Sequence, residues 1–168
     1  MAGDPDFPSA HVAISWAIRR LRTPICQSPS IYRMARKTSG IEYCVGCSPW
    51  EKIVEANYIL KAVQKVLTPL ECAILQTYFT GGYERGEEIA GWVSKSLSRD
   101  KWFTFDIVRG WAMERPRHTT KWWGKKYGVG SSTISRWQIE IIDKLDIALA
   151  SAMTGAQQAL QDSGHVAE

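Results

Sequence analysis

The residues best suited to chemistry lie between Thr120 and Ile139, in the run TKWWGKKYGVGSSTISRWQI. Four hydroxyls, Ser131, Ser132, Thr133 and Ser135, precede Arg136, and the cations Arg117, Lys121, Lys125 and Lys126 lead up to them. The planar guanidinium matches guanine O6 and N7, and hydroxyls accept or donate to bases and phosphates alike. Lysines grip phosphate oxygens as point charges and carry little sequence information. The pattern assigns base reading to Ser132, Thr133, Ser135 and Arg136. It assigns phosphate contact to Arg117, Lys121, Lys125, Lys126 and Ser131, with Ser131 also suited to capping a helix start.

Those side chains need two helices and a tight turn beneath them. Trp123 and Tyr127 sit four apart, on one face of a short helix. Gly124 is small where a second helix must cross, and Gly128 suits a turn with positive φ. Val129 packs under that turn, and Ile134 and Trp137 anchor the second helix. This is the layout of a helix-turn-helix, whose first helix crosses the phosphate backbone and whose second enters the major groove. An ordinary helical hairpin would want the same aromatics, but it would not want the same charge.

Charge separates those readings. Arg115 to Ile139 carries six cations and no acid, and Phe7 to Ile41 carries six more (Arg19, Arg20, Arg22, Arg33, Arg36 and Lys37), again with no acid. The whole chain is only +4, so the remainder is net acidic. Two concentrated basic segments fit a protein that neutralises phosphates. Solvated basic faces are the plainer explanation of such runs.

A chain of 168 residues suits one domain with appendages. Of the eight tryptophans, Trp16, Trp50, Trp92, Trp111, Trp123 and Trp137 fall in apolar patterns and are expected in the core, whereas Trp102 and Trp122 are not so placed. No stretch approaches the ~18–20 apolar residues of a membrane span. The start, MAGDPDFPSA, is acidic and proline-bearing, unlike a secretory signal, so a cytoplasmic location is expected. Cys44 and Cys47 have zinc-knuckle spacing, and Cys26 and Cys72 would complete four ligands. There is no second CxxC, and Cys72 also suits burial in an apolar helix, so reduced thiols without metal or other cofactor are expected.

The expected fold is all-α, a helical bundle with a C-terminal helix-turn-helix and a long trailing helix. Helices are expected over Ala10–Arg22, Ser30–Lys37, Ser48–Val66, Thr68–Thr80, Tyr83–Ser98, Ser98 or Asp100 to Met113, and then the two reader helices. Ser48-Pro49-Trp50-Glu51 and Thr68-Pro69-Leu70-Glu71 both read as capping boxes with proline at the first helical position. The first opens a stripe of Ile53, Ala56, Leu60, Val63 and Val66. The trailing stripe is Ile134, Trp137, Ile141, Leu145, Ala148 and Leu149. Three parts follow: a basic N-terminal segment 1–48 with the CxxC, a DNA-binding body 49–151, and a flexible tail 152–168.

Leu67 to Phe79, LTPLECAILQTYF, resembles the opening helix of region 4 of bacterial sigma factors, and Trp122 to Leu145 resembles that region's closing helix-turn-helix. The two segments cover under a quarter of the chain. Between them 81–116 stands as an insertion, where Trp102 and Phe105 form either a partner surface or a local core. The layout is similar to the phage late-gene antitermination proteins called Q. That resemblance implies a phage-encoded transcription regulator that binds double-stranded DNA at a late promoter and engages bacterial RNA polymerase, as a monomer or dimer. A phage small terminase subunit, which would form rings, and a simple repressor or activator are the alternatives. An enzyme is not expected. The acids Glu71, Glu87, Glu88, Asp100, Asp106 and Glu114 form no recognisable catalytic set, and there is no phosphate-binding glycine loop and no HExxH.

Overall fold

In the computed structural model, residues 7–21, 48–81, 85–113 and 116–166 are described. They form seven helices and no strand. These are α1 (Ala10–Leu21), α2 (Pro49–Val66), α3 (Pro69–Thr80), α4 (Gly86–Leu97), α5 (Lys101–Met113), α6 (Thr120–Tyr127) and α7 (Ser131–Asp162). The all-α expectation holds. The candidate helix 30–37 and Cys26, Cys44 and Cys47 lie outside the described residues. None of the described helices is long and apolar enough to cross a membrane.

Local sequence explains the helix starts. At α2, the Ser48 hydroxyl accepts from Glu51 N–H (3.3 Å) while the Glu51 carboxylate accepts from Ser48 N–H (2.6 Å). Thr68 and Glu71 repeat the exchange at α3, at 3.3 and 2.9 Å. Each exchange satisfies two donors that a helix start leaves open. These bonds hold both carboxyls below their ordinary range, the backbone N–H being the larger influence in each. Gly81, at φ 61°, ends α3 as expected.

The chain divides into two compact units. One comprises Met1–Cys72 with Ser151–Glu168, the other Ala73–Ala150. The first unit is built on small side chains. Ala10, Ala13 and Ala17 of α1, Ala56 of α2 and Ala152, Ala156 and Ala159 of α7 are all buried, with Ile14, Ile59 and Leu160 filling the larger gaps. Phe7 packs on Trp16 at 5.2 Å between ring centroids, and its N–H donates to the His165 carbonyl (3.1 Å). His165 Nδ1 lies 2.8 Å from the Glu55 carboxylate.

Three expectations are corrected here. The segment 152–168 is not a loose tail: α7 runs to Asp162 and Val166 pairs with Phe7. Polar composition concealed Ala152, Ala156, Ala159 and Leu160, whose spacing is helical and whose side chains are buried. The α2 core face is Ala56, Ile59 and Val63, leaving Ile53 and Val66 exposed. Trp50 is 71% exposed rather than core. It occupies the second position of α2, off the Ala56–Ile59–Val63 face.

Candidate nucleic-acid interface

The unit Ala73–Ala150 places α5, α6 and the start of α7 around a cluster of rings. Phe103 of α5 lies edge-on to Trp123 (5.2 Å), Tyr127 (6.2 Å) and Trp137 (6.0 Å), while Trp123 and Tyr127 stack at 5.6 Å with planes 9° apart. Edge-to-face and offset rings each add about 0.5–1.5 kcal/mol beyond their buried area. Ile134, Ile141 and Leu145 complete the inner face of α7 and are fully buried. Trp137 is half-buried, with the Arg99 guanidinium 4.8 Å over its ring and bonded onward to Glu140 at 2.7 Å.

The turn between α6 and α7 takes the expected form. Thr119 caps α6 by accepting from Trp122 N–H at 3.2 Å. Gly128 sits at φ 68°, ψ 27°, a left-handed conformation that glycine adopts freely. Val129 N–H donates to the Gly124 carbonyl at 3.0 Å. A Cβ on Gly124 would lie 2.8 Å from the Val129 carbonyl oxygen, so the crossing needs glycine there. Ser131 is not the cap of α7. Gly130 holds that place, its carbonyl accepting from Ile134 N–H (3.3 Å), and Ser131 is the first helical residue.

A carboxylate pins this assembly. Asp106 of α5 is buried, yet it accepts from Arg117 N–H (2.9 Å), His118 N–H (3.1 Å) and Trp123 Nε1–H (2.9 Å), with His118 Nδ1 at 3.3 Å. A buried charge is tolerable only when so bonded. Asp106 thus ties the segment that leads into α6 to the buried Trp123. Just before α5, Asp100 caps the helix by accepting from Phe103 N–H (2.9 Å) and also accepts from the Tyr127 hydroxyl (2.8 Å). Burial pushes the Asp100 carboxyl upward. The bonds from Phe103, Tyr127 and Trp102, with the charge of Lys126, outweigh it and hold the group below its ordinary range. Burial, and then the bond to Asp100, push the Tyr127 hydroxyl up.

The segment 81–116 contributes to this frame: α5 supplies Phe103 and Asp106, and Asp100 caps α5. A Cβ on Gly110 would lie 3.0 Å from Pro116 N, so glycine lets the chain return close against α5. Neither Asp106 nor His118 was identified as part of this site from sequence, since their partners lie 11 to 17 residues away. Asp106 did carry a signal: it is the one acid inside the otherwise apolar pattern from Lys101 to Met113.

Of the expected contact residues, all but Thr133 and Ser135 are exposed. Ser131, Ser132 and Arg136 are exposed at the start of α7, and Arg117, Lys121 and Lys125 are exposed on and before α6. Ser132 and Arg136, four apart, share a face. Thr133 and Ser135 are half-buried, and the Ser135 hydroxyl donates back to the Ser131 carbonyl at 3.0 Å. Lys126 is exposed but lies over rings, 4.9 Å from Trp123 and 5.3 Å from Trp122. Such an arrangement offers a bidentate fork, hydroxyls and several mobile cations to a polyanion.

Other acids have structural partners. Glu71 belongs to its capping box and Glu88 pairs with Arg85 at 2.9 Å. Glu114 lies outside the described residues. Cys72 Sγ lies 4.0 Å from the Leu67 carbonyl, and among the described residues no three His, Cys, Asp or Glu side chains gather as metal ligands would. The chain matches no family model, no curated protein and no solved structure, so the functional reading rests on the geometry of its own residues.

Proposed function

We propose that the protein is a DNA-binding transcription regulator that lays the start of α7 in the major groove of double-stranded DNA. The observation that carries this reading is the exposed Ser132–Arg136 face, presented beyond a glycine-dependent crossing and flanked by Arg117, Lys121 and Lys125. Arg136 reads a base, with Ser132 beside it. Thr133 and Ser135, half-buried, contribute less directly. Arg117, Lys121, Lys125, Lys126 and Ser131 hold phosphates. The likeness of Leu67–Phe79 and Trp122–Leu145 to sigma region 4 extends the proposal to bacterial RNA polymerase as partner and to Q-like antitermination at a phage late promoter.

The test is a binding titration on duplex DNA selected from a random pool, repeated over a range of salt. Four phosphate-binding cations give a slope of log K against log salt of roughly −3 to −4. Lys125→Ala should weaken all sequences alike and reduce that slope by about 1. A salt-independent or undetectable association would end the DNA reading. Retention of RNA polymerase by the immobilised protein, with and without promoter DNA, tests the partner. DNA binding without polymerase retention would leave a small terminase subunit or a simple repressor.

A further inference from the structure

Trp122 is a large aromatic side chain that the core of the reader does not use. Its neighbour Trp123 is buried and bonded to Asp106, whereas Trp122 keeps 44% of its surface in solvent. It is nevertheless held in place. Its indole lies on the His118 ring with centroids 3.9 Å apart and planes 23° apart, and it meets Trp123 edge-on at 4.7 Å. His118 is itself fixed to Asp106 through its backbone N–H (3.1 Å), with Nδ1 at 3.3 Å. An indole stacked on an imidazole that is anchored to a buried carboxylate is preorganised. It loses little freedom when it gains a further partner.

The surroundings are cationic. Lys126 Nζ lies 5.3 Å from the Trp122 ring centroid, and Arg117 and Lys121 are exposed nearby in sequence. From Arg115 to Ile139 there is no acid. Asp106 is buried and turned to its donors, and Asp100, which feels the charge of Lys126, is bonded to Phe103 N–H and the Tyr127 hydroxyl. A flat ring beside cations is the combination that binds single-stranded nucleic acid, where bases stack on aromatics and lysines follow the backbone. A duplex offers no free base face, since its bases are stacked on one another. A protein-docking patch would be a contiguous apolar area, whereas here a single indole stands among cations.

We infer that Trp122, backed by His118, is a stacking platform for an unpaired nucleobase, with Lys126 and Lys121 holding the adjoining phosphate. The platform shares Lys121 and Lys126 with the duplex-binding surface and adds to it a face for an unpaired base. It rests on the nucleic-acid reading above and adds to it a preference for DNA whose strands are locally open.

The test compares one labelled oligonucleotide of mixed sequence, as a single strand and as its blunt duplex, by fluorescence anisotropy at fixed salt. Trp122→Ala should weaken single-strand binding about tenfold and change duplex binding less than about twofold. Trp122→Leu keeps apolar bulk but no flat face, and should show the same loss if the alanine variant fails to fold. Trp122→Phe should recover most of the affinity. Trp102→Ala, which removes a more exposed indole (72% against 44%) outside the platform, should leave both unchanged. Equal weakening of both forms, or unchanged single-strand affinity in Trp122→Leu, overturns the platform. So does a loss of polymerase retention with oligonucleotide affinity intact, which would assign Trp122 to a protein partner. Wild-type protein that binds duplex but not single strands overturns this inference alone. Binding of neither overturns the DNA reading with it.

Discussion

The two units are held together by different means. In the unit of Met1–Cys72 and Ser151–Glu168 the described helices bury alanines and branched aliphatics. In Ala73–Ala150 a carboxylate, Asp106, occupies the interior among aromatic rings. Hydrocarbon packing gives stability but tolerates small shifts in register. A buried carboxylate with three donors at 2.9–3.1 Å fixes angles as well as distances. The difference teaches where geometry matters: the unit that presents Ser132 and Arg136 is the one whose frame is hydrogen-bonded from within.

The strongest way to break this comparison is Asp106→Ala. It leaves three donors without an acceptor and should cost about 4 kcal/mol in a urea titration. A cost under about 1 kcal/mol would mean that the rings alone set the frame. In the other unit, Leu160→Ala should cost about 3 kcal/mol by leaving a cavity. It should leave DNA affinity per folded molecule unchanged, whereas a parallel fall in affinity would show that the contrast between the units is false. Gly124→Ala is smaller. Its Cβ would sit 2.8 Å from backbone, which cannot give way as a side chain would, so about 1–2 kcal/mol of stability is lost despite alanine's better helix propensity.

The smallest effect sharpens the electrostatic side. Asp100 is held below its ordinary range, so its contribution is present above about pH 3.9 and disappears as pH falls through the lower folded value. Tyr127 is pushed up, so its contribution is present below about pH 10 and disappears as pH rises toward the folded value. Tyr127→Phe should therefore flatten the alkaline decline in melting temperature and leave an acid decline in place. An unaltered alkaline decline would remove Tyr127 from this role.

Much of the frame was legible in sequence because its signals are local. Gly124 and Gly128 mark a crossing and a turn, and Ser48–Glu51 and Thr68–Glu71 mark helix starts, within a few residues each. The parts that were not legible depend on partners far along the chain. Asp106 looked like a stray acid because Arg117, His118 and Trp123 approach it only in the fold. The end of α7 looked like a tail because Ala152, Ala156 and Ala159 carry little hydropathy, and what buries them is their small size. The α2 stripe was misread because Ile53, Ala56 and Ala56, Ile59 both fit helical spacing, and only packing chooses between them.

The central claim is that α7 reads base edges through Arg136. The direct measurement is the affinity of wild-type protein and Arg136→Ala for a selected duplex and for a scrambled duplex at one salt concentration. Arg136→Ala should lose about 1–3 kcal/mol on the selected duplex and much less on the scrambled one. Equal losses on both would make Arg136 a phosphate ligand and would contradict the placement of α7 as the reading helix.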